Sequence, residues 1–171
     1  VKFAAQDCNV NLAKQTLEVS GLDADAAGAH VTGSLTGAEI LDAPTLKGAI
    51  KLAPVSLREW LPKVGVAAPR TTDPNVLKQL SFAGNVQLTK ASAEVGDIVM
   101  KLDDTTMKGM VGVADFASKA LRFDLNVDRI NADRYLPPPS EKPAAKDAKE
   151  PPTEIPVDML RKLNAHGQLT V

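Results

Sequence analysis

Residues 99–127, VMKLDDTTMKGMVGVADFASKALRFDLNV, alternate apolar and polar side chains on either side of the pair Asp103-Asp104. In the last third of the stretch one face is apolar: Leu121, Phe123, Leu125 and Val127. The opposite face carries Arg122, Asp124 and Asn126. Alternation with a period of two is typical of half-buried antiparallel strands. The stretch therefore predicts consecutive strands with one apolar face, joined by turns at Asp103-Asp104 and Ser118-Lys119.

The same alternation recurs along most of the chain. Turn residues separate the segments at Gly28, at 42–44 and at Gly96-Asp97, and we count about eight strands before residue 130 at a spacing of roughly 12 residues. Such spacing favours a meander of hairpins. The positions that we expect to share one face and to line a hydrophobic groove are Leu46, Ile50, Leu52, Phe82, Val86, Val111, Leu121, Phe123, Leu125 and Val127.

Helices are predicted to be few and short. Ser56 and Glu59 form a capping box for a helix over 56–65, and Asp73-Pro74 predicts the start of another over 73–80. Two more are predicted, one turn at 131–136 and a helix from Pro156 to Gly167. The aromatic residues of the first and third, Trp60 and Tyr135, are expected to plug one end of the sheet.

The predicted fold class is mainly β, a curved antiparallel sheet of repeated groove units with short covering helices. A sheet with one apolar face must cover that face, and the predicted helices are too short to do so completely. Two arrangements remain open. The sheet either folds over on itself as a sandwich or curls into a trough whose apolar face stays partly exposed.

A repeat is visible in the pattern. One constant offset along the chain relates Leu46 to Leu121 and Trp60 to Tyr135, and such self-similarity is typical of arrays of supersecondary units. We therefore predict a module over 1–136 with two related units, about 1–65 and 66–136. The Pro/Lys/Glu-rich segment 137–154 predicts a disordered linker, and 155–171 predicts the helix and first strand of a further unit.

Composition excludes several classes of function. The 171-residue chain has a net charge of -1 and only 4% aromatic residues, which argues against nucleic-acid binding. It contains no phosphate-binding glycine loop, no Ser/His/Asp set and no metal-spaced His/Cys cluster. Asp103 and Asp104 are interpreted as a turn, and His30 and His166 as surface or helix-end residues. We expect no enzyme, no cofactor and no metal.

The single cysteine, the apolar stretches and the start of the sequence give further expectations. Cys8 is the single cysteine, so an internal disulfide is excluded, and we expect an ordinary strand residue there. No stretch is long and apolar enough to cross a bilayer, and no signal peptide is visible. Since the chain opens without Met inside a strand pattern, we expect a fragment of a longer protein.

The segment 99–137 closely resembles the AsmA family of Gram-negative bacteria. The residues that carry the resemblance are Leu102-Asp103-Asp104-Thr105, Gly109, Asp115, Leu121, Phe123-Asp124-Leu125, Asp128, Ile130, Asp133 and Tyr135-Leu136-Pro137. A second block, with Leu160-Arg161, Leu163-Asn164-Ala165, Gly167 and Leu169, is similar to the family's start of a next repeat. Thr72-Asp73-Pro74 and Leu77 are similar to a third family segment, so that the resemblance covers about 44–171.

The resemblance implies a periplasmic part of a protein that is anchored in the inner membrane. AsmA-like proteins are related to bridge-like lipid-transfer proteins and are linked to outer-membrane biogenesis. The implied function is a hydrophobic groove for phospholipid acyl chains, without catalytic residues. The alternative is a structural or interaction module that assists envelope assembly proteins without binding lipid. For this chain to be an enzyme, carboxylate side chains would have to converge in one cleft.

Overall fold

The computed structural model describes residues 2–138 and 165–171, and these form one sheet. In chain order its strands are β1 (Lys2–Ala4), β2 (Asp7–Asn11), β3 (Thr16–Ala26), β4 (Ala29–Ala38), β5 (Thr45–Val55), β6 (Leu80–Leu88), β7 (Ala93–Leu102), β8 (Thr105–Asp115), β9 (Ala120–Val127) and β10 (Ala165–Thr170). The expected class, a mainly β chain with a curved antiparallel sheet, is confirmed.

The sheet is an open meander. Strands β3 to β9 pair antiparallel with their neighbours in chain order. β1 and β2 both pair antiparallel with β3, and β10 pairs parallel with β9. Among the described residues the outer strands do not meet, so the sheet neither closes into a barrel nor folds into a sandwich.

Irregular positions in the ladders bend the sheet. The register shifts between Val19 and Leu22 in β3, and between Val95 and Ile98 in β7. Gly21 and Asp97 lie at these two sites with positive φ values of 60° and 49°. An extra residue on one strand kinks it and increases its twist, which accounts for the curvature.

The strand pattern recurs along the chain. The bulge of β3 lies between Val19 and Leu22, and that of β7 between Val95 and Ile98. The interval from Val19 to Val95 along the sequence equals the interval from Leu22 to Ile98, so the two bulges are equivalent. On the outer side of β3, Cys8 pairs with Val19 as Val86 pairs with Val95 on β7. The pair β1 and β2 is therefore the counterpart of β6, and β5 that of β9.

Two short helical segments follow β5 and β9. Helix α1 (Leu57–Lys63) begins after Ser56, whose hydroxyl accepts a hydrogen bond from the Glu59 N–H at 3.3 Å, as the capping box predicted. A 3₁₀ turn spans Ala132–Tyr135. Both stand where a strand ends, next to the hairpins 27–28 and 103–104, and we call this side of the sheet the capped end.

The prediction of a helix over 73–80 is wrong. Residues 72–78 form turns and bends, and β6 begins at Leu80. Leu77 has a φ of 62°, which a right-handed helix does not allow. The N–H groups of Leu77, Lys78 and Gln79 are bound instead by the carboxylate of Asp103.

Two smaller expectations also need correction. Gly96-Asp97 is the bulge inside β7 and not a turn between strands. The helix predicted to run to Gly167 has given way to β10 by Ala165. The rest of that predicted helix, and the predicted linker from residue 139 onward, lie outside the described residues.

Few side chains of the described residues are enclosed. The buried apolar side chains of the described part are Val76, Ile98 and Ala29, and Val76 alone is fully buried. Of the described residues, neither α1 nor the 3₁₀ turn lies across the apolar face of the sheet, so that this part of the chain leaves the face largely uncovered.

Candidate functional site

The ten residues proposed for a groove lie on one face of the sheet. Paired residues on neighbouring strands share a face. The pairs that connect the set from β5 to β9 are Leu52↔Phe82, Val86↔Val95, Val95↔Val111 and Val111↔Phe123. Most of these side chains are half-buried, and Ile50 is 42% exposed. We call this surface the apolar face.

The structure adds to this face apolar side chains that are not among the ten expected to line the groove. They are Leu88 on β6, Val95, Ile98 and Met100 on β7, and Met107 and Val113 on β8. The bulge in β7 hid part of this set, since Val95 and Ile98 share a face although they are three residues apart. A spacing of three beside Gly-Asp is the signal that would have identified it.

The apolar face is concave over β6 to β9. A depression of about 510 Å³ is lined there by Val86, Leu88, Val95, Val111, Val113, Leu121 and Phe123, among others. Glu94 and Arg122 are the charged residues of its lining. An apolar depression of this kind, open to solvent, is suited to a flexible hydrocarbon chain.

A larger depression, of about 720 Å³, lies on the opposite face over β3 to β6. Its lining includes Thr32, Lys51, Asn85, Asp23 and Asp97. Charges of both signs and small side chains give it no chemical preference that we can assign. Two depressions on opposite faces are expected of a strongly twisted sheet.

A network of hydrogen bonds organises the capped end around Asp103. The Asp103 carboxylate accepts the N–H groups of Leu77 at 2.7 Å, Lys78 at 3.0 Å and Gln79 at 3.1 Å. It also accepts the Tyr135 hydroxyl at 3.0 Å. Asp103 thus joins the hairpin 103–104, the loop before β6 and the 3₁₀ turn.

Asp104, the other residue of this hairpin, makes a separate contact. Arg134 donates to Asp104 at 3.0 Å and to Asp73 at 2.8 Å, so one guanidinium joins the hairpin to the loop before β6. The two carboxylates of the acidic pair therefore bind different partners. They do not converge on one position, as a carboxylate pair in a catalytic centre would.

The titration of these groups follows from their partners. Burial would raise the pKa of Asp103, but the Leu77 N–H, the Tyr135 hydroxyl and the two further N–H groups outweigh it and lower that pKa. The Asn75 N–H and then Arg134 lower the pKa of Asp73. Burial and then the Asp103 carboxylate raise the pKa of Tyr135. These carboxyls are ionised at neutral pH, as structural anchors are.

Trp60 and Tyr135 both lie at the capped end. The Trp60 indole N–H donates to the carbonyl of Ala26 at 2.7 Å, beside the hairpin 27–28. Tyr135 donates to Asp103, in the equivalent hairpin of the second half. Trp60 is half-buried against the turn that precedes β4, and Tyr135 against the turn that precedes β8. The two residues, which the sequence repeat relates, therefore make equivalent contacts.

The remaining candidates are scattered. His30 is exposed on β4, with its Nε2 3.6 Å from Asp23, and His166 is exposed on β10 in register with Arg122. His166 thus lies within a strand and not at a helix end. Cys8 is an exposed residue of β2. Residues 2–138 and 165–171 contain no group of three or more His, Cys, Asp or Glu that would hold a metal ion.

No helix within these described ranges is both long and apolar enough to span a membrane.

Comparisons of the chain with protein-family models, with curated proteins and with solved structures found no match.

Proposed function

We propose that this chain is a non-enzymatic periplasmic part of an AsmA-like protein that is anchored in the inner membrane. In this proposal the apolar face holds phospholipid acyl chains during outer-membrane biogenesis. The observation that carries it is the open apolar face, which continues across β5 to β9 and has no helix of the described residues lying across it.

The physical argument is one of burial. Exposed apolar surface of this extent has a cost in water, and a bound hydrocarbon chain removes it. Each methylene group transferred from water contributes up to about 0.8 kcal/mol, so that a chain lying along several strands binds through many weak contacts. No polar group is required for this binding, in agreement with a surface that has aliphatic residues and few charges.

The test uses site-specific photocrosslinking on the whole chain. A benzophenone amino acid replaces Phe123 on the apolar face in one variant, and Asp124 on the opposite face of β9 in the control. After incubation with phosphatidylethanolamine and phosphatidylglycerol vesicles, we expect phospholipid adducts at 123 and at most a few per cent as many at 124. Equal labelling at both positions, or none at 123, would contradict the proposal.

A charge introduced on the apolar face provides the second arm. Leu125→Asp should reduce the phospholipid recovered by extraction and mass spectrometry by about tenfold. Asn126→Asp introduces the same charge at the neighbouring position, on the opposite face, and should leave the recovered amount unchanged. Circular dichroism checks that both variants are folded.

The alternative is an interaction module without lipid, which assists envelope assembly proteins. The observation that favours it is that no strand of the described residues pairs with the outer sides of β1, β2 or β10, where a partner could add a strand. It predicts that partner binding survives Leu125→Asp and is lost when the edges carry lysine.

A further inference from the structure

Turns at one end of the sheet carry large apolar side chains. The end opposite the capped end, which we call the uncapped end, has four turns among the described residues: 12–15, 39–44, 89–92 and 116–119. In these turns Leu12 is 64% exposed, Leu41 65% and Phe116 43%. Turns favour glycine, proline and short polar residues, and the turns 27–28 and 103–104 of the capped end carry no large apolar residue. Exposed apolar residues at the turns of one end therefore indicate a contact surface.

The four turns form two pairs that repeat each other. We call 12–15 with 39–44 the first turn pair, and 89–92 with 116–119 the second turn pair. In the first pair the Ile40 N–H donates to the carbonyl of Gln15 at 3.2 Å. In the second pair the Phe116 N–H donates to the carbonyl of Ala91 at 2.8 Å. The interval along the chain between these two hydrogen bonds equals the interval between the two bulges, so the pairs are equivalent.

The two turn pairs differ in charge. The first pair has one lysine and two acidic residues, whereas the second pair has two lysines, Lys90 and Lys119, and no acidic residue. Asp115, which ends β8 just before the second pair, directs its carboxylate to the turn itself. It accepts the Ser118 hydroxyl at 2.8 Å and the Ala117 N–H at 3.0 Å. Exposed apolar residues beside lysines are typical of surfaces that contact anionic lipid.

The second turn pair also lies where the apolar depression over β6 to β9 ends. Leu88 and Ala93, the strand residues on either side of the turn 89–92, line this depression. Val113 and Leu121, close to the other turn of the pair, line it as well. A hydrocarbon chain that leaves a bilayer at the second turn pair would therefore meet apolar side chains from the first strand positions onward.

We propose that the second turn pair is the surface with which this chain contacts an anionic phospholipid bilayer. Phe116 enters the headgroup region, and Lys90 and Lys119 lie against the lipid phosphates. This inference rests on the proposed function, since the contact gives acyl chains their entry to the apolar face. The acidic residues of the first turn pair are repelled by the same lipids, so that the second pair faces the bilayer.

The first test is flotation of the whole chain with vesicles of phosphatidylglycerol and phosphatidylethanolamine. We expect the chain to float at low salt and to be released at about 1 M salt, where charges are screened beyond about 3 Å. Phe116→Ser should lower the partition coefficient about tenfold, and Leu41→Ser, in the first turn pair, at most about twofold. Both positions are exposed, and circular dichroism checks that both variants are folded.

Charge reversal is the second arm of this test. Lys90→Glu should lower the partition coefficient about fivefold or more, whereas Lys14→Glu, in the first turn pair, should lower it at most about twofold. Both lysines are exposed at turns. A parent chain that does not float, or equal losses for the variants of the two turn pairs, would overturn the inference.

The last test separates this inference from the proposed function. Phospholipid labelling at position 123 is followed over time after vesicles are added. With Lys90→Glu the initial rate should fall about fivefold, while the final yield stays the same because the apolar face is unchanged. An unchanged rate would overturn the contact surface and leave the proposed function standing. Absence of labelling at 123 in every variant, with flotation still lost for Phe116→Ser, would contradict the proposed function and support the contact surface.

Discussion

At the hairpin between β7 and β8, a single carboxylate determines the path of a loop that is distant in the sequence. Asp103 has a φ of 52° and accepts four hydrogen bonds, three of them from consecutive backbone N–H groups. Thr105, with which β8 begins, is buried. The acidic pair that could have indicated catalysis thus has a structural role, in which an anion satisfies backbone donors at the capped end.

The lowered pKa values of Asp103 and Asp73 predict that stability depends on pH. In the unfolded chain these carboxyls titrate near about 3.9, so the folded state binds fewer protons around that value. Their contribution is complete above the unfolded pKa and is lost as the pH falls through the lower, folded pKa. We expect the urea midpoint to decrease from about pH 4 downward.

Asp103→Asn isolates the contribution of this residue. At pH 7 the variant should lose about 1 to 2 kcal/mol of unfolding free energy, a value at the low end for charged hydrogen bonds because the site is partly solvated. At pH 3 the difference from the parent chain should shrink. Asp124→Asn, an exposed carboxyl on β9, is the control. A difference that is the same at both pH values would contradict the linkage.

A second residue-scale prediction concerns Gly109. Its φ is 141°, and a Cβ atom placed there would overlap the carbonyl oxygen of Asp124 on β9. Gly109→Ala should therefore cost about 2 kcal/mol or more, from backbone strain and displacement of a neighbouring strand. Gly96→Ala, whose Cβ would meet nothing closer than 3.7 Å, is the control in the same urea titration. Equal losses would show that the contact with Asp124 is unimportant.

At the scale of elements, the loop before β6 has the best-enclosed side chain of the described structure. Val76 is 0% exposed, although it belongs to no helix or strand. Arg58 of α1 donates to the Val76 carbonyl at 3.3 Å and to the Thr71 hydroxyl at 2.6 Å. The loop is thus a packed connection between α1 and β6, held by side chains from three separate elements.

Val76→Ala tests this small core. The lost methyl groups and the cavity they leave should lower the unfolding free energy by about 2 kcal/mol. Val99→Ala removes the same atoms from a side chain on β7 that is 37% exposed, and should cost less than about 1 kcal/mol. Chemical denaturation of both variants measures the difference. Similar losses would mean that Val76 is not enclosed in solution.

The same loop explains why the helix predicted over 73–80 failed. Asp73-Pro74 is a genuine start signal for a helix, and the Asp73 side chain does accept the Asn75 N–H at 2.8 Å. The N–H groups of Leu77, Lys78 and Gln79, however, are bound by Asp103 of the hairpin between β7 and β8. Local propensity is a weak preference of tenths of a kcal/mol per residue, and three hydrogen bonds from this loop to one carboxylate outweigh it.

At the scale of the whole molecule, an open sheet should be least stable at its edges. β4 to β8 have a paired strand on both sides, whereas β1, β2 and β10 are paired on one side by the described residues. Hydrogen exchange measured at about 1 µM should therefore be slowest in β4 to β8 and fastest in β1, β2 and β10. Edges as protected as the centre at this dilution would contradict an open sheet.

The distribution of apolar side chains allowed the strands to be predicted from the sequence. Alternation with a period of two identifies strands wherever they are regular, as in β5 and β9, and it placed Leu125 and Phe123 on one face. It failed at Gly96-Asp97, because a bulge changes the spacing without ending the strand. The division into units of about 1–65 and 66–136 and the lipid-binding role of the apolar face stay predictions.

What this sequence determined by itself was local: the period-two strands, the cap at Ser56 and the chemistry that an apolar, weakly charged surface permits. These follow from the geometry of a strand or a single turn, which neighbouring residues set. Only the tertiary structure decided that Asp103 anchors the loop before β6, that β10 runs parallel to β9, and that the ten described strands form an unclosed sheet. Each of these depends on contacts between distant residues, whose energy exceeds local preference and leaves no mark in any short window of the chain.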